Sequence, residues 1–285
     1  MKKIMLMLTS LAALNCFAGE DIFTYKIGDY DVFTLVETTG PGRPQILIGA
    51  DEALQRRYLA PAGGGDPAFQ SETNTFLVRG KDRVVLVDTG FGGAVFESMK
   101  KLGVNPGDVD AVLLTHLHGD HIGGLAKNGK ALFPRALVYL AEQERDYWTK
   151  TNVNAGAVAA LAPYGNRIRT FKPGELGAAL AELLPGITAI AAFGHTPGHT
   201  AFLVASGNAR LLIWGDVMHV QGIQFPRPDI SVTYDTDPAQ AAEIRKKILD
   251  YAVKNNIPIA GMHLLYPAVG TVRAAGGGFS FEPAR

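Results

Sequence analysis

The chain has 285 residues and a mass of 30.4 kDa, room for one large domain or two small ones. With 47% hydrophobic and 19% charged residues it is not a disordered chain. Its net charge is formally zero, and it lacks the basic patch or stripe that a nucleic-acid binder displays. The densest basic run, "EIRKKIL" at 243–249, reads as the solvated face of a helix.

The first 18 residues read as an address rather than as structure. Lys2 and Lys3 form a positive start, Ile4 to Leu14 an apolar core, and Cys16-Phe17-Ala18 a small-residue cleavage site. That core is shorter than the roughly 20 residues a membrane span needs, so the expectation is a signal peptide and a periplasmic or secreted product. Cys16 also permits a lipoprotein signal, although Asn15 stands where such a signal takes a small residue. Because Cys16 is the only cysteine, the exported chain has no disulfide, and any metal site must use nitrogen and oxygen ligands.

Residues 19–70 read as an N-terminal extension containing the alternating strand "DVFTLVE" (31–37) and ending at the loop "APAGGGDPA" (60–68). Two strand-like runs follow, "NTFLVRG" (74–80) and "RVVLVDTG" (83–90); the second is apolar on both faces, as a central strand should be. Residues 93–102 suit an amphipathic helix, "VDAVLLTH" (109–116) another buried strand, and "ALVYLAEQERDYWTK" (136–150) a strand and then a helix. The segments "ITAIAAFGH", "AFLVASG", "RLLIWGD" and "IPIAGMH" share one habit, an apolar run ending in Gly, His or Asp. Before the last of them, residues 237–256 have helical spacing, with Asp237 as N-cap and Pro238 at the first helical position. Mixed strands and helices with polar residues at strand ends predict an α/β fold whose site is built on loops above a sheet edge.

The chemistry concentrates in "THLHGDHIGG" (115–124), which holds three of only seven histidines. His116 and His118 can point the same way, whereas the adjacent Asp120 and His121 diverge toward a second point, so one loop can address two metals. Later strand ends add His195 and His199 around a Thr-Pro-Gly turn, then Asp216 and His263.

These motifs, "HLHGDH", "GHTPGH", "GD" and His263 in that order, resemble the metallo-β-lactamase superfamily. More narrowly, "VDTG", "DYWTK", "FGHTPGHTAFLV" and "RAAGGGFSFEP" resemble the secreted branch that contains methyl parathion hydrolase and related lactonases and arylesterases. The resemblance implies a four-layer αββα sandwich and two divalent ions, most often zinc, with a hydroxide between them as nucleophile. It implies His116, His118 and His199 at the first metal, Asp120, His121 and His263 at the second, and Asp216 bridging both. A carboxylate can bridge two cations while a neutral imidazole nitrogen serves one, which agrees with that allocation. Asp88 is expected to orient a ligand histidine or else merely to end a strand, and His195 to be a structural or supporting histidine. His219, three residues beyond Asp216, either contacts the substrate carbonyl and leaving oxygen or only lines the wall. Trp148, Phe91 and Phe225 are candidate pocket walls, with a core role as the alternative for each. The extension at 19–70 resembles the part that supports dimerisation in that branch, so a homodimer is expected.

Two metals lower the pKa of bound water and polarise the oxygen of the bond under attack, which points to hydrolysis. Asp216 and the absent cysteine argue against a true β-lactamase. Only residues 264–285 follow His263, which leaves no room for the glutathione-holding helical domain of hydroxyacylglutathione hydrolases. No nuclease extension is visible. The expected substrate is a small carboxylic ester or lactone, with organophosphate triesters as the alternative.

Overall fold

The structure, a computed structural model, describes residues 22–285 apart from residue 63; the expected signal peptide, with Cys16, lies outside the described residues. Seven strands form the first sheet in chain order: β1 (Ile22–Ile27), β2 (Tyr30–Pro41), β3 (Gln70–Arg79), β4 (Val84–Val87), β5 (Ala111–Leu113), β6 (Leu137–Ala141) and β7 (Ile168–Phe171). The first four run antiparallel; from β4 onward the pairings are parallel. The second sheet has six strands, β8 (Ile187–Ala191), β9 (Thr200–Ser206), β10 (Ala209–Ile213), β11 (Ile259–Ala260), β12 (Val269–Ala275) and β13 (Gly278–Pro283).

Alternation along the first sheet assigns its two faces. Val32, Phe76, Val78, Val85, Val87 and Leu113 turn inward onto the second sheet, where Ile190, Phe202, Val204 and Ile213 meet them. Their neighbours Phe33, Leu77, Leu86 and Val112 turn outward and are covered by helices α2 (Ala94–Lys101) and α5 (Ala155–Leu161). On the far side, α7 (Pro238–Asn255) packs against β12 and buries Ile248 and Leu249. Helix, sheet, sheet, helix is the αββα sandwich.

Local chemistry explains several boundaries. Asp237 caps α7 by accepting the Gln240 N–H, with Pro238 at its first position. The N-terminus of α2 is capped from outside: the Glu37 carboxylate on β2 accepts the N–H groups of Gly93 and Val95 at 2.6 Å each. The basic run at 243–249 needs a correction. Lys246 and Lys247 are exposed, but Arg245 is fully buried, donating to the carbonyls of Val217, Pro228 and Ile230.

Residues 19–70 prove to be part of the body where they are described. β1 and β2 are edge strands of the first sheet, and Leu47–Ile48 pairs antiparallel with Ser231–Val232. Helix α1 (Glu52–Leu59) then packs near α6 (Gln221–Gln224), burying Leu47, Leu59, Val220, Ile223 and Ile230 in a separate cluster. This anchoring lays Pro41–Ile46 across the loops at the strand ends.

Candidate metal centre

Each chemistry-bearing side chain sits just beyond a strand. His116 and His118 follow β5, and Asp120 and His121 lie in the short α3 (Gly119–Ile122). His195 follows β8, Asp216 follows β10 and His263 follows β11. The buried sheets thereby fix four separate loops against one another.

The donor atoms of His116, His118, His195 and Asp216 form one group, and those of Asp120, His121 and His263 another; within each group all lie inside 4.8 Å. The Asp216 carboxylate sits between them. Its Oδ2 is 3.2 Å from His195 Nε2 and 3.1 Å from His263 Nε2, and its Oδ1 is 3.2 Å from His121 Nε2.

The outer ring nitrogens explain why the inner ones are free. His121 Nδ1–H donates to Asp88 Oδ2 at 2.7 Å, His195 Nδ1–H to Asp235 Oδ1 at 2.8 Å, and His263 Nδ1–H to the Glu72 carbonyl at 2.7 Å. These acceptors fix Nδ1 as the donor, so each ring turns its Nε2 toward the cluster. His116 is fixed one step further out: Thr115 Oγ1 gives its proton to Asp88 at 2.7 Å and so accepts from His116 Nδ1 at 3.0 Å. Asp88, buried and at a positive φ of 59°, thus serves two rings at once.

His199 requires a correction. Its Nδ1–H donates to the Ala192 carbonyl at 2.8 Å, and its Nε2 accepts the Asp216 N–H at 2.9 Å. Both nitrogens are spent on the backbone, leaving no lone pair for a cation. His195 stands instead with the first group, its Nε2 3.2 Å from His116 Nε2 and 3.0 Å from His118 Nδ1. His199 holds the loop that carries Asp216.

Charge follows from burial and the shared carboxylates. Burial holds His116 well below the ordinary imidazole range and brings His118 to about 3 and His219 to about 4. For His195 burial acts in the same sense, but hydrogen bonds to Asp216 and Asp235 outweigh it and raise the ring to about 9. Asp216 stays ionised despite burial, because His121, His263 and His116 surround it.

Two buried atoms, His121 Nε2 and Asp216 Oδ1, have no hydrogen-bond partner. Polar atoms so deep are normally satisfied, and a nitrogen lone pair facing a carboxylate oxygen is repulsive unless a cation or a proton intervenes. The all-nitrogen-and-oxygen donor set fits hard to borderline divalent cations.

A cavity of about 420 Å³ opens over this cluster. His118, Asp120, His195, Asp216, His219 and His263 form its floor, with Pro41, Ile46 and Phe69 as an apolar flank and Tyr234 opposite. His219 stacks on His263 at 4.8 Å, with its Nε2 3.1 Å from Asp216 Oδ2 and its Nδ1 buried without a partner.

The other expected pocket residues are corrected or moved. Phe225 is core, buried between Trp214 and a parallel Phe281 ring 5.2 Å away. Phe91 is 55% exposed and absent from the cavity lining. Trp148 lies behind the floor, its ring 5.4 Å from that of His118 and its indole N–H donating to Glu144. Glu144, Asp235 and the buried Arg245, the last from the run that reads as a solvated helix face, also support the site. Their only signal in the sequence was an acid or a base inside a helical or loop stretch, which ordinarily means a solvated residue.

Residues 69–256, well over half of the chain, match the family model described as metallo-beta-lactamase superfamily. The chain belongs to that superfamily. Among solved structures, "hydrolase AbOPH in beta lactamase superfamily" superposes with a TM-score of 0.82 at 29% identity, covering 93% of this chain and 98% of that one. AidC, a dizinc quorum-quenching lactonase in complex with a product, gives a TM-score of 0.82 at 25% identity, covering 93% and 99%. A hydroxyacylglutathione hydrolase from Enterobacter sp. (strain 638) is 29% identical over 156 residues, 55% of this chain and 51% of that protein. Metallo-beta-lactamase domain-containing protein 1 of Xenopus laevis is 32% identical over 163 residues, 55% and 64%. The chain thus spans about half of the first of these relatives and just under two thirds of the second.

Proposed function

We propose that this chain is an exported metal-dependent hydrolase of small lactones and carboxylic esters, working with two divalent ions, most often zinc. The observation that carries the reading is Asp216, a buried carboxylate shared by two groups of donors at the floor of one cavity. Near end-to-end likeness to a dizinc lactonase supports the substrate class. Two ions held there would supply Lewis acidity, lowering the pKa of water and polarising a carbonyl.

The chain's own residues do the rest. Pro41, Ile46 and Phe69 offer the acyl or alcohol part an apolar wall, so substrate binding excludes water from the floor. His219 brings its Nε2 to that floor, 3.1 Å from Asp216 Oδ2, and in this reading turns that nitrogen to the substrate carbonyl or the departing alkoxide when Asp216 is engaged by the ions. Asp88 and Asp235 hold His121 and His195 in the tautomer that faces inward.

The test is metal content and turnover of two variants beside the parent. Asp216→Ala should lose the second ion and nearly all activity on lactones and aryl esters. His219→Leu should keep both ions while kcat falls by on the order of 10²-fold, the loss typical of one transition-state hydrogen bond. An Asp216→Ala protein with two ions and full activity would overturn the reading, and an unchanged His219→Leu would remove His219 from it.

A further inference from the structure

Glu144, in the short helix α4 (Glu142–Asp146), is a fully buried carboxylic acid, and among the described residues no cation pairs with its oxygens. Four donors converge on it. Oε1 accepts the Leu117 N–H at 2.9 Å and the Trp148 indole N–H at 2.7 Å. Oε2 accepts the Thr196 hydroxyl at 2.7 Å and the Gly198 N–H at 2.9 Å. Both oxygens act as acceptors toward N–H groups, an arrangement that only the ionised carboxylate satisfies in full. Burial pushes its pKa up, and the four donors act against that shift.

The identity of the donors gives this network its meaning. Leu117 lies between His116 and His118. Thr196 and Gly198 form the turn immediately after His195. Trp148 packs edge-on against His118. One carboxylate therefore grips both chain segments that bring three imidazoles together, and it also grips the ring behind one of them. The grip is close: a Cβ on Gly198 would stand 2.3 Å from the Glu144 backbone nitrogen, so only glycine lets the turn reach α4. None of the four donors to Glu144 comes from Asp120, His121 or His263; Asp88 and the Glu72 carbonyl hold the rings of His121 and His263 instead.

We propose that Glu144 is a positioning residue for one half of the centre, holding His116, His118 and His195 in register while leaving the half built by Asp120, His121 and His263 alone. The inference rests on the reading that these groups hold two ions. It assigns to a residue in a helix the job that Asp88 and Asp235 do by direct contact with the rings.

The experiment is zinc titration of the purified chain against a chromophoric chelator, with stoichiometry by native mass spectrometry and thermal melting of the metal-free protein alongside. Glu144→Gln keeps the shape but turns one acceptor into a donor, so two of the four donors lose their acceptor. One of the two zinc affinities should fall by roughly 10- to 100-fold, the usual cost of removing a group that orients metal ligands, while the other keeps its parental value. Thr196→Val, which deletes a single donor and leaves the carboxylate, should shift the same affinity by a smaller factor. It carries the test if Glu144→Gln does not fold. Two unchanged affinities, or two that fall together in step with the melting temperature, would overturn the inference and leave Glu144 a structural residue only. A parent chain that takes up no zinc would instead overturn the functional reading together with this one.

Discussion

Two imidazoles flank the Thr-Pro-Gly turn, and their outer contacts separate their roles. His195 spends one nitrogen on Asp235 and keeps the other for the cluster, whereas His199 spends both on the backbone. His195→Ala should therefore lower metal affinity by at least 10- to 100-fold with little change in the metal-free melting temperature. His199→Ala should do the reverse in emphasis. It strands the Asp216 N–H and the Ala192 carbonyl and lowers the melting temperature of the metal-free protein, at about 1–3 kcal/mol for each stranded group. Thermal melts and chelator competition on the same two proteins check this, and equal loss of metal affinity in both would restore His199 as a ligand. "GHTPGH" displays two histidines four residues apart, and no residue in that string reports which ring the Ala192 carbonyl and Asp216 N–H will claim. Ala192 stands in the same segment, but the Asp216 N–H comes from another loop, so the choice was not legible. Asp216 and His263 were more legible, because each closes an apolar run, and Asp120 and His121 because they stand in one short histidine-rich loop.

At the scale of elements, strand ends make the site. "RLLIWGD" reads in the sequence as a buried run that ends in a turn, and β10 does end there, with Gly215 at φ +63° directly before Asp216. A Cβ at Gly215 would lie 2.3 Å from His199 Nε2, so both backbone conformation and space demand glycine. Gly215→Ala should cost about 1–3 kcal/mol or more and displace Asp216 enough to weaken both metals at once. Denaturant unfolding and zinc titration measure the two effects; an alanine variant of parental stability would refute the strain. Long alternating or apolar runs and the capped helix at 238–255 were readable because their pattern is local. Helix α1 and the ladder joining Leu47–Ile48 to Ser231–Val232 were not, since that cluster draws on residues almost 200 positions apart. Glu144 and Arg245 were hidden for a related reason: a charged residue on an amphipathic helix reads as solvated until the surrounding loops bury it.

Across the whole molecule, two sheets pack their apolar faces together and leave their polar loop ends on one rim. The first sheet supplies His116, His118, Asp120 and His121, and the second supplies His195, Asp216 and His263. The segment that follows β2, from Pro41 to Ile46, closes one side of the cavity, so the part of the chain read as an extension contributes to the cavity wall. No helix among the described residues is long and apolar enough to cross a membrane. The proposed substrate class rests on this wall and on the donor cluster beneath it, and one comparison tests it most directly. Metal-quantified protein is assayed for kcat/KM on a panel of acyl and aromatic lactones, aryl esters and an aryl phosphotriester. The account predicts two divalent ions per chain and a clear preference for lactones or carboxylic esters, abolished by chelation and restored by zinc. Two bound ions with a preference for the phosphotriester, or with no carboxylic turnover at all, would contradict it.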